Sequence, residues 1–308
     1  MPTATSLGGR IRTNISSKMA HDALLQSGNQ IAKSQLKITT GRRINQAADD
    51  VSGYITSRSL ISRNSTLESN LLSTGEAINV TTIVQDAYDN VHNLVTEIKR
   101  SAILASSDSI GTSEKVALAK SAYRLAQQVD LVSSSATFGG RQLLDGTFSS
   151  DWLIGIDAEH KSLSVNLDLR PGNEDLNVLG QFGLSLDSDE FAGIRELDLS
   201  KLDEVTTENL GVFGREKITK TITDLANALD NVSNVAAYVG GFQARLFSQN
   251  DALLSQISNY KGAISRIDDA DVAEEQVKLS KQEFLHQASL LSMSQANSSP
   301  FNYFRLIG

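Results

Sequence analysis

The sequence predicts a mainly α-helical protein with a small β region, in which long N- and C-terminal helices pack as a coiled-coil bundle and a short β-rich insert occupies the middle. Three observations support this fold class. Apolar residues repeat in heptads in both terminal parts of the chain, strict alternation of apolar and polar residues is confined to the middle, and the 308 residues include only three prolines, Pro2, Pro171 and Pro300. Because a proline inside a helix costs about 3 kcal/mol, the long intervals between them permit uninterrupted helices.

The first 40 residues carry an apolar stripe at loosely helical spacing. Its members are Ile11, Ile15, Met19, Leu24, Leu25, Ile31 and Leu36. The spacing slips along the segment, so an isolated amphipathic helix here would be weak and would need a partner. Around residues 39–43, Thr-Thr-Gly-Arg-Arg, the pattern breaks, which predicts a hinge.

A second helical stretch is predicted from about residue 45 to 104. Its clearest part is a coiled-coil heptad pattern formed by Val80, Val84, Ala87, Val91, Leu94 and Ile98. Residues 106–111 form a polar break, and another helix is expected from about 113 to 132. Asp49 and Asp50 could imitate a pair of catalytic carboxylates, but adjacent residues on a helix do not face each other. We therefore interpret them as acids in the first turn of this second helix and as ion-pair partners on the surface.

The middle of the chain, about residues 139–210, has a different character. The segments WLIGID and KSLSVNLDL alternate apolar and polar residues with a period of two, as strands do. The sequence Arg-Pro-Gly-Asn at 170–173 predicts a turn, and short apolar pieces follow. We therefore expect a small β-rich module in this region.

The most regular heptad pattern lies between residues 216 and 265. Fourteen positions alternate at intervals of four and three, and twelve of them are apolar, among them Ile218, Leu225, Leu229, Val232, Val239, Leu246, Leu253 and Ile257. A pattern this long predicts one continuous helix. The two polar members, Gln243 and Asn250, either fix the register of a helix pair or face solvent beyond the end of a partner helix.

An acidic segment, IDDADVAEEQ at 267–276, precedes the last predicted helix. Asp271 followed by Glu274 resembles a capping box, and this interpretation is favoured over a cation site because the segment lacks the glycine and spacing of a calcium loop. The helix itself is expected to reach about Asn297 and to end before Pro300. Its large apolar residues include Leu279, Phe284, Leu285, Leu290, Leu291 and Met293.

Composition makes enzymes and metal proteins improbable. The chain has no cysteine, its four histidines have no second ligand at metal-binding spacing, and no phosphate-binding or nucleophile motif occurs. We therefore expect no cofactor, no metal and no catalytic site. The net charge of −8 argues against nucleic acid, and no apolar run approaches the roughly 18 residues of a membrane span, so membrane insertion is not expected. The N-terminus lacks the apolar core of a cleaved signal peptide.

Three segments resemble the signature motifs of bacterial flagellins. They are GRRINQAADDVSGYITSRSL at 41–60, ATFGGRQLLDGTF at 136–148, and SRIDDADVAEEQVKLSKQEFLHQASLLSMSQAN at 265–297. Three long motifs in the expected order are far more specific than one short pattern. The last residues, FNYFRLIG, depart from the usual aliphatic tail of the family.

The resemblance implies a structural subunit that polymerises through its terminal helices into the extracellular bacterial flagellar filament and serves motility. Residues 1–40 and 268–308 would form paired terminal helices in the inner core, 41–149 and 213–267 a coiled-coil layer with a β-turn region, and 150–212 a short β-rich outer insert. The implied partners are further copies of the chain, a flagellar export chaperone, the type III export apparatus, and the hook-associated and cap proteins.

Other functions remain open at this point. A junction protein of the hook–filament boundary shares the helical ends, although such proteins more often have NRPSDDP-like residues where this chain has INQAADDVSG. An enzyme or adhesin displayed on a filament would need a larger insert than 150–212. Periodicity alone would also allow a cytoplasmic coiled-coil scaffold.

Overall fold

The computed structural model describes residues 13–156, 162–170, 184, 190–195 and 197–307. The chain divides into two units, one formed by residues 1–65 with 258–308 and the other by residues 66–257. We call them the terminal unit and the central unit.

Five long helices dominate the described residues. They are α1 (Ile15–Thr40), α2 (Val51–Ser106), α3 (Thr112–Ser135), α4 (Ile218–Asp268) and α5 (Val272–Ile307). Two short 3-10 helices, Leu199–Leu202 and Gly211–Phe213, lie before α4 in this part of the chain. The predicted fold class, mainly α with long packed terminal helices and a small β region, is confirmed.

The core of the central unit is a helical seam. Buried apolar residues of α2 and α4 form it together with four residues of α3, Ala119, Ala122, Ala126 and Val129. The predicted heptad residues that belong to this core are Val84, Val91, Ile98, Leu225, Val232, Val239 and Leu246. Leu253 and Ile257 are also buried but lie outside this cluster. Leu94 and Leu229 are partly buried and pack against this core, while their neighbours Val95 and Ala228 are fully buried. The added helix α3 widens the buried stripe beyond a two-helix seam.

The two polar members of the predicted α4 heptad lie at the edge of this seam. Gln243 and Asn250 are half-buried. The amide Nε2 of Gln243 donates to Thr82 Oγ1 on α2 at 3.0 Å, so this residue links the two helices rather than facing solvent alone. On α2, the same region carries buried Thr74 and Thr81 among its apolar residues.

Among the residues described between 137 and 195, the strands form three antiparallel pairs. They are β1 (Thr137–Phe138) with β2 (Arg141–Gln142), β3 (Ser149–Ile156) with β4 (Ser162–Asp168), and β5 (Glu190–Phe191) with β6 (Ile194–Arg195). The predicted turn beginning at Arg170 lies mostly outside the described residues.

The largest hairpin packs onto α4. Trp152 of β3 lies between Phe148 and Phe242, with ring centroids 6.5 and 6.3 Å away. Gln249 Nε2 of α4 donates to the Ile154 carbonyl at 3.1 Å. The aromatic cluster and this hydrogen bond hold the hairpin against the helix.

Replacing Phe242 by alanine should destabilise the central unit, because this side chain is only 5% exposed and closes the aromatic cluster. We expect a loss of about 3–5 kcal/mol in the free energy of unfolding. Urea unfolding followed by circular dichroism and by the fluorescence of Trp152, the only tryptophan, measures it. The matched control is Phe247→Ala, since Phe247 on the same helix is 50% exposed. Equal losses in both variants would contradict the described packing.

Candidate functional site: the terminal helix pair and its hinge clasp

Helices α1 and α5 pack antiparallel within the terminal unit. Asn14 bonds the Ala296 carbonyl, Ser27 lies 3.1 Å from His286 Nδ1, and Ser34 donates to Glu275 Oε2 at 3.3 Å. Partners on α5 therefore descend in number as those on α1 rise. This pairing of the two ends of the chain was predicted from sequence and is confirmed.

The face that α1 buries against α5 is made of small side chains. Its buried residues are Ala20, Ser27 and Ser34, spaced seven apart. On α5, the half-buried residues that follow Glu275 at alternating intervals of four and three are Leu279, Gln282, His286, Ser289, Met293 and Ala296. The seam between the helices is thus narrow and partly polar.

The residues predicted for polymerisation divide into two groups. Ile15, Leu24, Ile31, Leu279 and Met293 are half-buried in the terminal unit. A second group is exposed, with exposed fractions of 66% for Met19, 55% for Leu25, 71% for Phe284, 42% for Leu285, 44% for Leu290 and 73% for Leu291. Ile11 lies outside the described residues. Most of the large apolar side chains therefore remain in contact with solvent after α1 and α5 have paired.

Exposed apolar residues, two of them from this group, form a second stripe on α5. Val277, Phe284 and Leu291 are spaced by seven and are each at least 70% exposed. At 100° per residue they lie on the side of the helix opposite the seam with α1. A helix that is apolar on two opposite sides is typical of one that is buried on both.

The hinge after α1 and the hinge after α4 are bonded to each other, and we call this arrangement the hinge clasp. The Ala270 amide donates to the Gly41 carbonyl at 2.9 Å, and the Arg43 amide donates to the Asp268 carbonyl at 2.6 Å. The Arg43 guanidinium also donates through Nη2 to the Ile267 carbonyl at 2.6 Å. Gly41 has a left-handed backbone with φ of 67°, which ends α1 and turns the chain into the clasp.

Charged side chains reinforce the clasp. Arg42 Nε lies 3.5 Å from Asp268 Oδ2, and the Asp268 side chain is only 6% exposed. Asp49 Oδ2 accepts from the amides of Asn45 and Gln46, both at 3.1 Å. Burial alone would raise the pKa of Asp49, but these hydrogen bonds outweigh it and hold the pKa below its ordinary value.

Asp50 caps α2 rather than lying in its first turn. Its Oδ1 accepts from the Gly53 amide at 2.9 Å, and its Oδ2 lies 3.7 Å from Arg43 Nη1. The expectation that both aspartates are first-turn acids was therefore wrong, because α2 begins at Val51 and the residues before it form the clasp. A Cβ atom at Gly53 would come within 2.6 Å of Ile44 Cδ1, so a larger residue would have to displace this side chain and the Asp50 carboxylate.

The acids of the segment 267–276 have separate roles. Asp271 Oδ1 accepts from the amides of Ala273 and Glu274 at the start of α5, as the capping interpretation predicts. Asp268 belongs to the clasp. Glu275 is buried in the seam and meets Ser34 and two lysines.

Glu275 is the charged centre of the terminal pair. Its Oε1 accepts from Lys278 Nζ at 2.9 Å and lies 3.7 Å from Lys37 Nζ of α1. Burial by itself would raise the pKa of this carboxyl, but the hydrogen bond from Lys278 and the charge of Lys37 outweigh it and hold the pKa below its ordinary value. The site therefore offers ion pairing and helix packing between the two ends of the chain.

Helix α5 continues through Pro300 to Ile307, so the predicted end near Asn297 was wrong. Proline disfavours the helical conformation of the residue before it and removes one backbone donor. Here the carbonyl that loses its donor is that of Ala296, and Asn14 of α1 bonds it instead. A contact from a distant part of the chain thus overrides the local preference.

Sequence reasoning missed the residues of the clasp and the charged centre, namely Ser34, Lys37, Arg42, Arg43 and Glu275. Ser34 carries a weak signal, because it stands seven residues after Ser27 on the stripe that also contains Ala20. The arginines carry none, since their partners are more than 220 residues away.

Two family models match the chain. The bacterial flagellin N-terminal helical region matches residues 11–149, and the bacterial flagellin C-terminal helical region matches residues 220–307. The chain belongs to the bacterial flagellin family.

Full-length relatives agree with this assignment. The flagellin of Bacillus subtilis strain 168 is 26% identical over 315 residues, covering 97% of this chain and 99% of the relative. The flagellin of Halalkalibacterium halodurans is 25% identical over 307 residues, covering 96% and 99%. Polar flagellin F of Vibrio parahaemolyticus is 21% identical over 373 residues, covering 97% and 99%.

Membership settles the class of function. The chain is a flagellin, a structural and non-enzymatic subunit of the extracellular flagellar filament, which is a homopolymer. Within the residues that the structure describes, no helix is long and apolar enough to cross a membrane, and no group of three potential metal ligands occurs.

The clasp gives two flagellin motifs a physical meaning. The resemblance at 41–60 begins with Gly41, Arg42 and Arg43, and the resemblance at 265–297 begins with the residues they bond, Ile267 and Asp268. Two motifs that are remote in sequence are therefore the two halves of one contact.

The substitution Glu275→Gln should weaken the terminal pair at neutral pH by about 1–3 kcal/mol, because Lys37 loses its charged partner in a buried seam and Lys278 keeps only Glu274. It should also reduce the amount of stability that the terminal pair loses in acid. The folded pKa of Glu275 is lowered, so its contribution is fully present above the ordinary value of 4.5 and is lost as pH falls through the folded value.

Thermal dissociation of filaments, measured between pH 3 and pH 7, tests this prediction. Glu283→Gln is the control, because Glu283 is exposed on the same helix. If Glu275→Gln filaments lost as much stability in acid as the unmodified filaments, Glu275 would not be the group responsible.

Proposed function

We propose that the terminal unit is the polymerisation element of this flagellin, and that it joins copies through the outer faces of α1 and α5. The observation that carries the proposal is the contrast between the small buried residues of the α1 seam and the large exposed residues on the outer faces. A surface with this many exposed large apolar side chains is typical of one covered by a partner. In a homopolymer, the partner is a second copy of the chain.

The energy balance favours folding that is coupled to assembly. Burying each large apolar side chain contributes about 1.5–3 kcal/mol, whereas ordering the backbone costs about 1–2 kcal/mol per residue. A pair of helices joined only through Ala20, Ser27, Ser34 and their half-buried neighbours recovers little of that cost by itself. Contacts with neighbouring copies would supply the remainder, so assembly would be cooperative.

The layers of the subunit follow from this assignment. Residues 1–40 and 268–308 would form the inner core, and residues 41–149 and 213–267 the surrounding coiled-coil layer with its β-turn region. Residues 150–212 would form a short outer insert. The buried seam of the central unit supports the coiled-coil layer, and the antiparallel pair of β3 and β4 supports a β-rich insert.

Partners before and after assembly would use the same exposed residues. We assign the outer stripe of α5, Val277, Phe284 and Leu291, to a flagellar export chaperone that covers it until the chain reaches the type III export apparatus and leaves the cell. Their high exposure supports this role. In the finished filament, hook-associated and cap proteins would meet the terminal units of the first and last subunits.

The substitution Leu285→Asp should abolish filament formation and leave the central unit helical, because a charge would then lie on a face that becomes buried between copies. Negative-stain electron microscopy of purified protein with added filament seeds, together with circular dichroism, measures both outcomes. Leu72→Asp is the matched control, since Leu72 is 72% exposed and belongs to the central unit. Normal filaments from Leu285→Asp would refute the assignment of this face.

The substitution Phe284→Ala should raise the critical concentration for assembly by roughly 10- to 100-fold, the equivalent of burying one large side chain less per subunit. Sedimentation of filaments at a series of protein concentrations gives this value. Phe247→Ala serves as the control, because Phe247 is exposed on the central unit. A critical concentration equal to that of the unmodified protein would place Phe284 outside the contact between copies.

A further inference from the structure

Pro300 leaves one carbonyl of α5 without its helical partner. In an α-helix each backbone amide donates to the carbonyl four residues earlier, and proline has no amide hydrogen to donate. Since α5 runs from Val272 through Pro300 to Ile307, the carbonyl affected is that of Ala296. Pro300 is the only proline after Pro171, so no other carbonyl of α5 loses its donor in this way.

Both polar atoms of the Asn14 side-chain amide form hydrogen bonds near this carbonyl. Its Nδ2 donates to the Ala296 carbonyl at 2.7 Å. Its Oδ1 accepts from the Ser17 amide at 3.0 Å and so caps the first turn of α1. Beside it, Ser17 Oγ donates to Asn297 Oδ1 at 2.7 Å, which adds a second bond between the helices.

We propose that Asn14 and Pro300 act together as an end lock, which determines the register of the α1–α5 pair and the point at which the pair ends. Pro300 creates a free acceptor at one place on α5, and Asn14 is the donor that recognises it. The role concerns the inner seam of the pair, so it does not depend on which outer faces join the copies.

A heptad seam needs such a determinant. Ala20, Ser27 and Ser34 repeat every seven residues, and a shift of α5 by one heptad would again bring a seam position opposite each of them. The hinge clasp fixes the pair at one end, but α1 has 26 residues and therefore extends about 39 Å from it. A carbonyl without a helical donor favours one register, because a slipped helix would present carbonyls that already accept an amide hydrogen bond and are weaker acceptors for a second donor.

The lock reverses the usual effect of a proline substitution. Replacing an interior helical proline by alanine ordinarily stabilises a helix. Here, Pro300→Ala would return the Ala296 carbonyl to the helix and weaken it as the acceptor that holds Asn14. We therefore expect Pro300→Ala to make α5 more regular while it loosens the start of α1.

A cycle of three variants isolates this coupling. Asn14→Ser keeps a capping oxygen for the Ser17 amide but removes the donor to Ala296. Pro300→Ala removes the need for that donor, and the third variant combines both changes. Filaments of each are examined by electron microscopy, and hydrogen–deuterium exchange is followed in peptides covering residues 15–20 and 290–299.

Asn14→Ser should increase exchange in both peptides by roughly five- to tenfold, the effect of a lost hydrogen bond that leaves its acceptor unpaired. Against the Pro300→Ala background the same substitution should change exchange less than twofold. An equal increase in both backgrounds would overturn the lock, and so would no increase in either. If filaments of these variants show the coupling while Leu285→Asp also forms normal filaments, the lock stands and the role of the outer faces must be revised.

Discussion

The narrow seam between α1 and α5 is the constraint from which the rest of the terminal unit follows. Small side chains, Ala20, Ser27 and Ser34, occupy the buried face of α1 and let the two helices approach through serine, histidine and glutamate contacts. Several large apolar side chains, among them Phe284 and Leu291, lie outside that seam and remain exposed. An isolated subunit therefore cannot bury its own apolar surface, which is an appropriate property for a filament subunit.

The hinge clasp joins the end of α1 to the end of α4. Arg43 bonds backbone carbonyls that lie at the end of α4, where the last turn of a helix leaves them without amide partners. A positive guanidinium is also favourable at that end of the helix dipole. The clasp thus satisfies polar groups that two helix ends would otherwise leave to water, and it does so within the motifs typical of flagellins.

Much of this organisation could be predicted from sequence. Heptad spacing located the seam of the central unit, because the packing of long helices requires apolar residues at a regular spacing that is visible in the sequence. It missed Val95 and Ala228, which are fully buried, and included their partly buried neighbours Leu94 and Leu229 instead. The contribution of α3 to the core has no signature in the α2 or α4 pattern. The polymerisation residues were predicted as the large apolar members of the terminal stripes, and such a stripe does not distinguish the inner from the outer face of a helix pair. Half-buried Leu24 and Met293 were therefore grouped with exposed Phe284 and Leu291. The clasp and the continuation of α5 through Pro300 depend on contacts between distant residues, which local pattern cannot reveal.

The antiparallel pairing of α1 with α5 also has a consequence for synthesis. Asn14 and Ala296 are 282 residues apart, yet they are neighbours in the folded terminal unit. A ribosome makes α1 first and its partner last, so α1 has no helix to pair with for almost the whole period of translation. An incomplete chain that stops short of Val272 would carry the apolar face of α1 and lack α5 altogether. The pairing therefore depends on complete synthesis, because only a chain translated through α5 can form the terminal unit.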